Sequence, residues 1–108
     1  MISLRMITAG QKEPLALFAV LSLGIIDSLT VGAVSPTRAA KQFFTSKNSQ
    51  FVKTKLGEKN AVEVMGRGLQ LLALCDAIPA EEAHREFQRE LRRMKALCHA
   101  LLDRIVEE

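Results

Sequence analysis

The residues that could carry acid–base or metal chemistry are few and far apart. His84 and His99 are the two histidines, and both fall on the last predicted helix. Fifteen residues of α-helix separate them by about 22 Å, so they cannot share a site within one chain. Cys98 precedes His99 directly, and adjacent helical side chains point about 100° apart, which is poor geometry for chelating one ion. We therefore expect no catalytic residue, no metal site and no cofactor.

Two further features resemble parts of active sites. Asp27 interrupts an apolar helix, and a buried carboxylate can mark a functional site. We favour the plainer interpretation that Asp27 meets water at the helix end or caps a neighbouring helix. The segment Gly66-Arg67-Gly68 has the glycines of a phosphate-binding loop, but it lies within a helical pattern and lacks the preceding strand and the following Lys-Ser/Thr.

The two cysteines lie 23 residues apart in strongly apolar helical patterns. We favour two reduced, buried thiols, Cys75 and Cys98, in a cytoplasmic protein. A disulfide between two packed helices is the alternative that the spacing leaves open.

The composition excludes several classes of protein. The chain has 108 residues, of which 48% are hydrophobic and 25% charged, with a net charge of +3. These figures fit one globular domain and exclude a disordered chain, a collagen-like polymer and a disulfide-dense secreted scaffold. All five aromatic residues are Phe. The absence of Trp and Tyr disfavours an aromatic ligand cage or a base-stacking platform.

The longest apolar run, Leu15 to Ile26, resembles the core of a secretion signal. Glu13 and Pro14 precede it directly, however, and Asp27 ends it well short of the roughly 20 residues that a membrane span needs. We therefore expect a core helix, a cytoplasmic location and no membrane contact.

The apolar spacing predicts helices and no strand. We expect an all-α fold, a compact bundle of about five helices in a single domain of residues 1–108, with residues 1–10 as a segment that could be flexible. The five helices are about Gln11 to Val31, ended by Gly32; a short helix opened by Ser35-Pro36; a short helix capped by Asn48 and running to Leu56; about Asn60 to Ala77; and a long helix from Pro79 to the C-terminus.

The fourth predicted helix carries one apolar stripe and two glycines. Gly66 and Gly68 mark either a close crossing with another helix or a local kink. The residues expected to form the stripe are Val62, Met65, Leu69, Leu72 and Ala73.

The last helix has apolar residues in alternating steps of four and three, which is a heptad-like seam. The candidate seam consists of Phe87, Leu91, Met94, Cys98, Leu101 and Ile105. Leu97 and Leu102 widen the stripe beyond what one partner helix covers. The seam either packs within one chain or pairs two chains in a homodimer, and both alternatives stay open. On the polar side, Glu86 and Glu90 precede Arg89 and Arg93 by three residues, as in a solvent-exposed face.

Positive charge is concentrated in the middle of the chain. Residues 35–59 contain six basic residues against one acidic residue, Glu58, a net charge of +5. This candidate anion-binding face consists of Arg38, Lys41, Lys47, Lys53, Lys55 and Lys59. A solvated lysine face is the interpretation we favour. Nucleic acid is a partner that the charge allows, but no helix-turn-helix pattern or exposed aromatic supports it.

Several short segments resemble those of a known family. They are the run Leu21 to Leu29 (LSLGIIDSL), followed by Gly32 and Ser35, then the Phe43-Phe44 pair and the Gly68-Leu69-Gln70-Leu71 turn. In these segments, over residues 15–78, the chain is similar to a family of small bacterial helical proteins with a domain of unknown function. The resemblance implies an α-helical bacterial protein and carries over no catalytic or binding residue.

The function that these features favour is a small non-enzymatic helical module for protein–protein interaction or regulation that associates with itself as a homodimer. An unidentified protein partner, such as a toxin that the module neutralises, is a further expectation. The alternative is a binder of nucleic acid or another anionic partner through residues 35–59.

Overall fold

The protein is all-α, which confirms the predicted fold class. The computed structural model describes the backbone of residues 1–77 and 80–107 and the side chains of residues 1–74 and 80–105. Within those ranges there is no strand. The helices are α1 (Leu4–Thr8), α2 (Pro14–Thr30), α3 (Pro36–Gln42), α4 (Ser46–Phe51), which continues into a π-helical turn (Val52–Leu56), α5 (Lys59–Ala77) and α6 (Ala80–Glu107).

The long helix α6 spans the molecule and packs against both α2 and α5. Its 28 residues make a rod of about 42 Å, and the longest dimension of the molecule is 43 Å. The short helices α1, α3 and α4 pack against α2, α5 and one another. The first turn of α6 contains Glu81 and Glu82, and the helix dipole favours acidic residues there. The predicted start at Pro79 lies outside the described residues.

The candidate seam of α6 is buried within the single chain. Phe87, Leu91, Met94, Cys98 and Leu101 are each at most 7% exposed, and Ile105 is half-buried. Because α6 packs on two helices, α2 and α5, the wide stripe is covered without a second copy. The seam therefore packs within this chain, and pairing of two chains in a homodimer stays a prediction.

Two local signals end and begin helices as predicted. Gly32 has φ of +78°, a conformation that favours glycine. There the backbone N–H of Ala33 donates to the Ser28 carbonyl at 2.8 Å, and that of Gly32 donates to the Leu29 carbonyl at 3.3 Å. These two bonds form a Schellman motif. Ser35 then caps α3.

The predicted cap at Asn48 is wrong. Thr45 caps α4 instead, because its hydroxyl accepts a hydrogen bond from the Asn48 backbone N–H at 3.1 Å. The Asn48 side chain is buried and turned inward. Its Nδ2 donates to the carbonyls of Ile2 at 2.9 Å and Phe43 at 2.8 Å, and its Oδ1 accepts from the Leu4 backbone N–H at 3.0 Å. A single amide thus holds three backbone groups.

These bonds order part of the segment, residues 1–10, that could have been flexible. Leu4 is fully buried in the core, and the backbone N–H of Ile2 donates to the Gln42 carbonyl at 2.8 Å. Within this segment α1 is a helix docked against the core.

The buried stripe of α5 is rotated from the predicted one. Met65 is buried as expected, but Leu69 is 40% exposed, and the other fully buried apolar residues are Ala61, Val64 and Leu71. The cause is Phe44, whose ring lies where a Cβ on Gly68 would stand. The glycine marks a close approach by an aromatic ring. No atom lies within 4 Å of a Cβ built on Gly66.

Candidate interaction and anion-binding surfaces

The residues considered for chemistry stand apart in the structure. His84 and His99 are exposed on α6, and Cys98 is a fully buried free thiol. Burial raises the pKa of the Cys98 thiol to about 12, which keeps it protonated and unreactive. The disulfide alternative therefore does not describe Cys98, while the side chain of Cys75 lies outside the described residues. No group of three or more metal-ligating side chains occurs in the part of the chain that the structure describes.

Asp27 meets water near the end of α2, as the plainer interpretation predicts. Its side chain is 58% exposed and accepts a hydrogen bond from Lys95 Nζ at 3.1 Å, which links α2 to α6. An exposed ion pair of this kind contributes little to stability. Asp27 is therefore a surface link rather than a buried functional carboxylate.

Arg67 is held by two carboxylates within the α5–α6 pair. Its Nε donates to Glu63 at 3.0 Å and its Nη1 donates to Glu90. The hydrogen bond to Glu90 first, and then that to Glu63, raise the pKa of Arg67. The predicted Glu86–Arg89 pair is present at 3.4 Å, whereas Glu90 contacts Arg67 across the helix pair. Arg67 is thus already neutralised and makes no phosphate loop.

One face of α2 is left uncovered by the residues that the structure describes. We define the α2 outer face as Leu17, Val20, Leu21, Gly24 and Val31, the last directly after the helix. Val20 is 55% and Val31 79% exposed, Gly24 is exposed, and Leu17 and Leu21 are half-buried. The opposite face is the buried one, and it consists of Phe18, Ser22, Ile26 and Leu29. An apolar helix is therefore buried on one side and open on the other.

Gly24 lies at the centre of the α2 outer face. Leu17 and Val31 each lie seven residues from it, so the three share one line along the helix. A Cβ built on Gly24 meets no atom within 4 Å. Glycine inside a helix costs about 0.5–1 kcal/mol relative to alanine. Packing among the described residues supplies no reason for that cost.

The basic residues of segment 35–59 are all exposed. Arg38, Lys41, Lys47, Lys53, Lys55 and Lys59 all lie at the surface. The one carboxylate of the segment, on Glu58, is engaged elsewhere. Its Oε1 accepts from Arg104 Nη1 at 2.8 Å, and its Oε2 accepts from the backbone N–H groups of Asn60 at 2.6 Å and Ala61 at 3.1 Å. The positive charge is therefore not neutralised from within the segment.

A pocket between α1 and α4 brings a further cation to this region. It has a volume of about 330 Å³ and contains Arg5 from α1 beside Lys47 from α4. The other lining residues are Met1, Ser3, Asn48, Gln50, Phe51 and Thr54. Arg5 was not among the predicted site residues. Arg5 and Lys47 are 42 positions apart, and no periodicity or motif in the sequence predicts that they line one pocket. The Asn48 hydrogen bonds bring them to the same place.

Three comparisons with known proteins find no match to this chain. A scan against protein-family models finds no match, a search of curated proteins finds none, and a search of solved structures finds none. Over the described residues, no helix is long and apolar enough to cross a membrane.

Proposed function

We propose that this protein is a small non-enzymatic interaction module that associates with a second copy of itself through the α2 outer face. The observation that carries the proposal is the exposure of Val20, Gly24 and Val31 on one apolar face of α2, while the apolar seam of α6 is buried within the chain. Exposed apolar surface of this kind is typical of interaction sites.

A second copy fits this face better than a charged partner does. Among the described residues, the charged side chain near its centre is that of Asp27, which is already paired with Lys95. Leu17 and Val31 are apolar and lie seven residues on either side of Gly24, with Asp27 and Ser28 between Gly24 and Val31. A two-fold axis at Gly24 sets Leu17 of one chain against Val31 of the partner subunit, and Val31 against Leu17 of the partner subunit. This is the self-complementary arrangement that an isologous dimer needs.

The open space at Gly24 supports a close helix crossing. Packed helices are normally 8–10 Å apart, and small residues at the crossing allow the backbones to come closer. The 17 residues of α2 make a face about 26 Å long. One helix face buries less than the roughly 800 Å² per partner of a standard interface. We therefore expect a dimer that forms in the micromolar range.

Sedimentation equilibrium across about 1–300 µM tests the proposal. Val20→Glu places a charge in the α2 outer face and is expected to give a monomer at every concentration, since an unpaired charge would be buried in the dimer. Leu69→Glu is the matched control, because it changes another exposed apolar residue on a long helix. A monomeric parent protein, or a dimer that persists in Val20→Glu, would overturn the proposal.

An anionic partner bound through residues 35–59 is a second candidate function. It is favoured by one observation, that Glu58 is engaged with Arg104 and with the start of α5 while the six basic side chains remain exposed. Binding of this type weakens steeply with salt because counterions are released.

Fluorescence anisotropy with a labelled single-stranded oligonucleotide tests this second candidate. Lys53→Glu with Lys55→Glu is expected to abolish binding at low salt. Arg92→Glu with Arg93→Glu changes the net charge equally on exposed positions of α6 and is the matched control. Equal losses in both double variants, or no binding by the parent protein at low salt, would exclude a dedicated face.

A further inference from the structure

We propose that the pocket between α1 and α4 binds a phosphate group, with Arg5 and Lys47 as its two charged contacts. The pocket lies apart from the α2 outer face, and the proposal does not depend on self-association. It names a ligand group and a contact, Arg5, that the lysine-rich segment alone does not contain.

Arg5 on α1 and Lys47 on α4 lie next to the residues that the Asn48 hydrogen bonds join. Arg5 follows Leu4, whose backbone N–H is bonded to Asn48, and Lys47 directly precedes Asn48. The same amide bonds the Ile2 carbonyl. The backbones that carry both cations are thus fixed to each other before any ligand arrives. Binding then costs less ordering of the chain, which favours affinity.

The charge and the donors in the pocket match a phosphate. Its lining contains Arg5 and Lys47 and no carboxylate. Asn48 uses both amide hydrogens on backbone carbonyls, so it shapes the wall without binding ligand. Ser3 Oγ accepts from the Met6 N–H at 3.4 Å, which leaves its own hydrogen to donate. The guanidinium and the ammonium together balance a dianion, and an Arg donates to two oxygens at once.

The size of the pocket indicates what carries the phosphate. A volume of about 330 Å³ is in the range of small-molecule sites and exceeds what an inorganic phosphate fills. Phe51 is half-buried in the wall and offers an apolar surface to the rest of the ligand. The ligand class is therefore a phosphomonoester. The phosphate comes either from a small molecule, such as a nucleoside monophosphate, or from the end of a nucleic-acid strand.

Titration by NMR chemical shift at about 50 mM salt tests this site and separates the two sources. The probes are inorganic phosphate, adenosine monophosphate, adenosine, and one oligonucleotide with and without a 5′-phosphate. We expect shifts of Arg5, Lys47 and Phe51 with adenosine monophosphate and none with adenosine. A preference for the phosphorylated oligonucleotide over adenosine monophosphate would assign the strand end as the source. No shift at these residues with any phosphate probe would overturn the proposal.

Paired charge-neutral variants separate a pocket from diffuse attraction. Arg5→Gln with Lys47→Gln is expected to weaken adenosine monophosphate binding at least tenfold. Arg92→Gln with Arg93→Gln removes the same charge on α6, outside both the pocket lining and residues 35–59, and should weaken it less than twofold. All four residues are exposed, so both variants should keep the parent helical circular dichroism. Equal losses of binding in the two double variants would overturn the pocket proposal. An unchanged oligomeric state in both double variants separates the loss of binding from self-association.

Discussion

Ser22 is a buried hydroxyl in the core side of α2. It is fully buried, and its Oγ has no hydrogen-bond partner among the described residues. A buried polar atom without a partner costs about 1–3 kcal/mol, whereas a methyl group at the same place does not. Ser22→Ala should therefore raise the free energy of unfolding by about 1 kcal/mol, measured by urea denaturation followed by circular dichroism.

Thr8 is the control for Ser22. It is also buried and helical, but its hydroxyl donates to the Leu4 carbonyl at 2.6 Å. Thr8→Val keeps the side-chain shape but removes this hydrogen bond, so it should not raise the free energy of unfolding. A fall in stability in Ser22→Ala would mean that its hydroxyl is bonded in solution.

Cys98 should resist thiol reagents in the folded protein. Its pKa of about 12 leaves almost no thiolate at pH 8, and its side chain is out of contact with solvent. Labelling with iodoacetamide at pH 8, read by peptide mass spectrometry, should modify Cys98 only after unfolding in guanidinium. Rapid labelling of the native protein would contradict the burial of this residue.

The same raised pKa predicts a pH dependence of stability. Above the ordinary thiol pKa of about 9, the unfolded chain loses the Cys98 proton while the folded chain retains it. The free energy of unfolding should then fall from about pH 9 towards pH 12, and this contribution should be complete below pH 9. Cys98→Ala should show a shallower fall over that window in urea denaturation.

Residue-level predictions from sequence succeeded where the cause was local. Ser35 and Gly32 act within four positions of themselves, and both were predicted. Asn48 was misassigned because its partners, Ile2 and Leu4, lie more than 40 residues away. The pairing of Arg5 with Lys47 was missed for the same reason, since it follows from those bonds.

At the scale of elements, Gly66 and Gly68 should respond in opposite directions to alanine. A Cβ on Gly66 enters open space, so Gly66→Ala should gain about 0.5–1 kcal/mol of stability from helix propensity. A Cβ on Gly68 overlaps the ring of Phe44, so Gly68→Ala should lose about 1–3 kcal/mol. Thermal or urea unfolding of the pair checks this, and equal effects would contradict the close packing of Phe44.

The anchoring of α1 and α3 to α4 should depend on one side chain. Asn48→Ala leaves the Leu4 N–H and the carbonyls of Ile2 and Phe43 without their partner, and should cost about 2–4 kcal/mol. Gln50→Ala, at an exposed neighbour, should change stability by less than about 0.5 kcal/mol. Hydrogen exchange should show faster exchange of the Leu4 amide in Asn48→Ala. Unchanged protection there would contradict the anchoring.

The three long helices, α2, α5 and α6, could be predicted because apolar residues recur at helical spacing over many residues in each. The stripe of α5 was placed incorrectly because spacing alone does not show which side meets a neighbour. Phe44 selects the side with Gly68, and that choice turns Leu69 towards solvent. Periodicity therefore finds a helix, while a contact with another element decides its orientation.

At the scale of the whole molecule, Gly24→Ala should separate folding from assembly. Its Cβ meets no atom of the described residues within 4 Å, so the monomer should gain about 0.5–1 kcal/mol. At a close crossing of two α2 helices the same methyl group should weaken the proposed dimer, measured by sedimentation equilibrium. Gly66→Ala, the matched control, should gain stability with no change in association. A dimer unaffected by Gly24→Ala would place the crossing elsewhere.

The sequence indicates that the apolar faces of α2 and α6 need extensive burial. It left open whether this chain or a second molecule buries them. For α6 the answer lies within the chain, because α2 and α5 flank it. For α2 one face remains exposed. Apolar content predicts how much surface must be buried, and only the arrangement of all helices shows which face is left over.

The distance along the chain between α2 and α6 matters while the protein is being made. The apolar helix α2 ends at Thr30, and its main neighbour begins only at Ala80. At 5–20 residues per second, a ribosome takes about 3–10 s to make the intervening stretch. Throughout that time the buried face of α2 has no α6 to cover it. The nascent chain is therefore exposed to aggregation and to chaperones until α6 emerges.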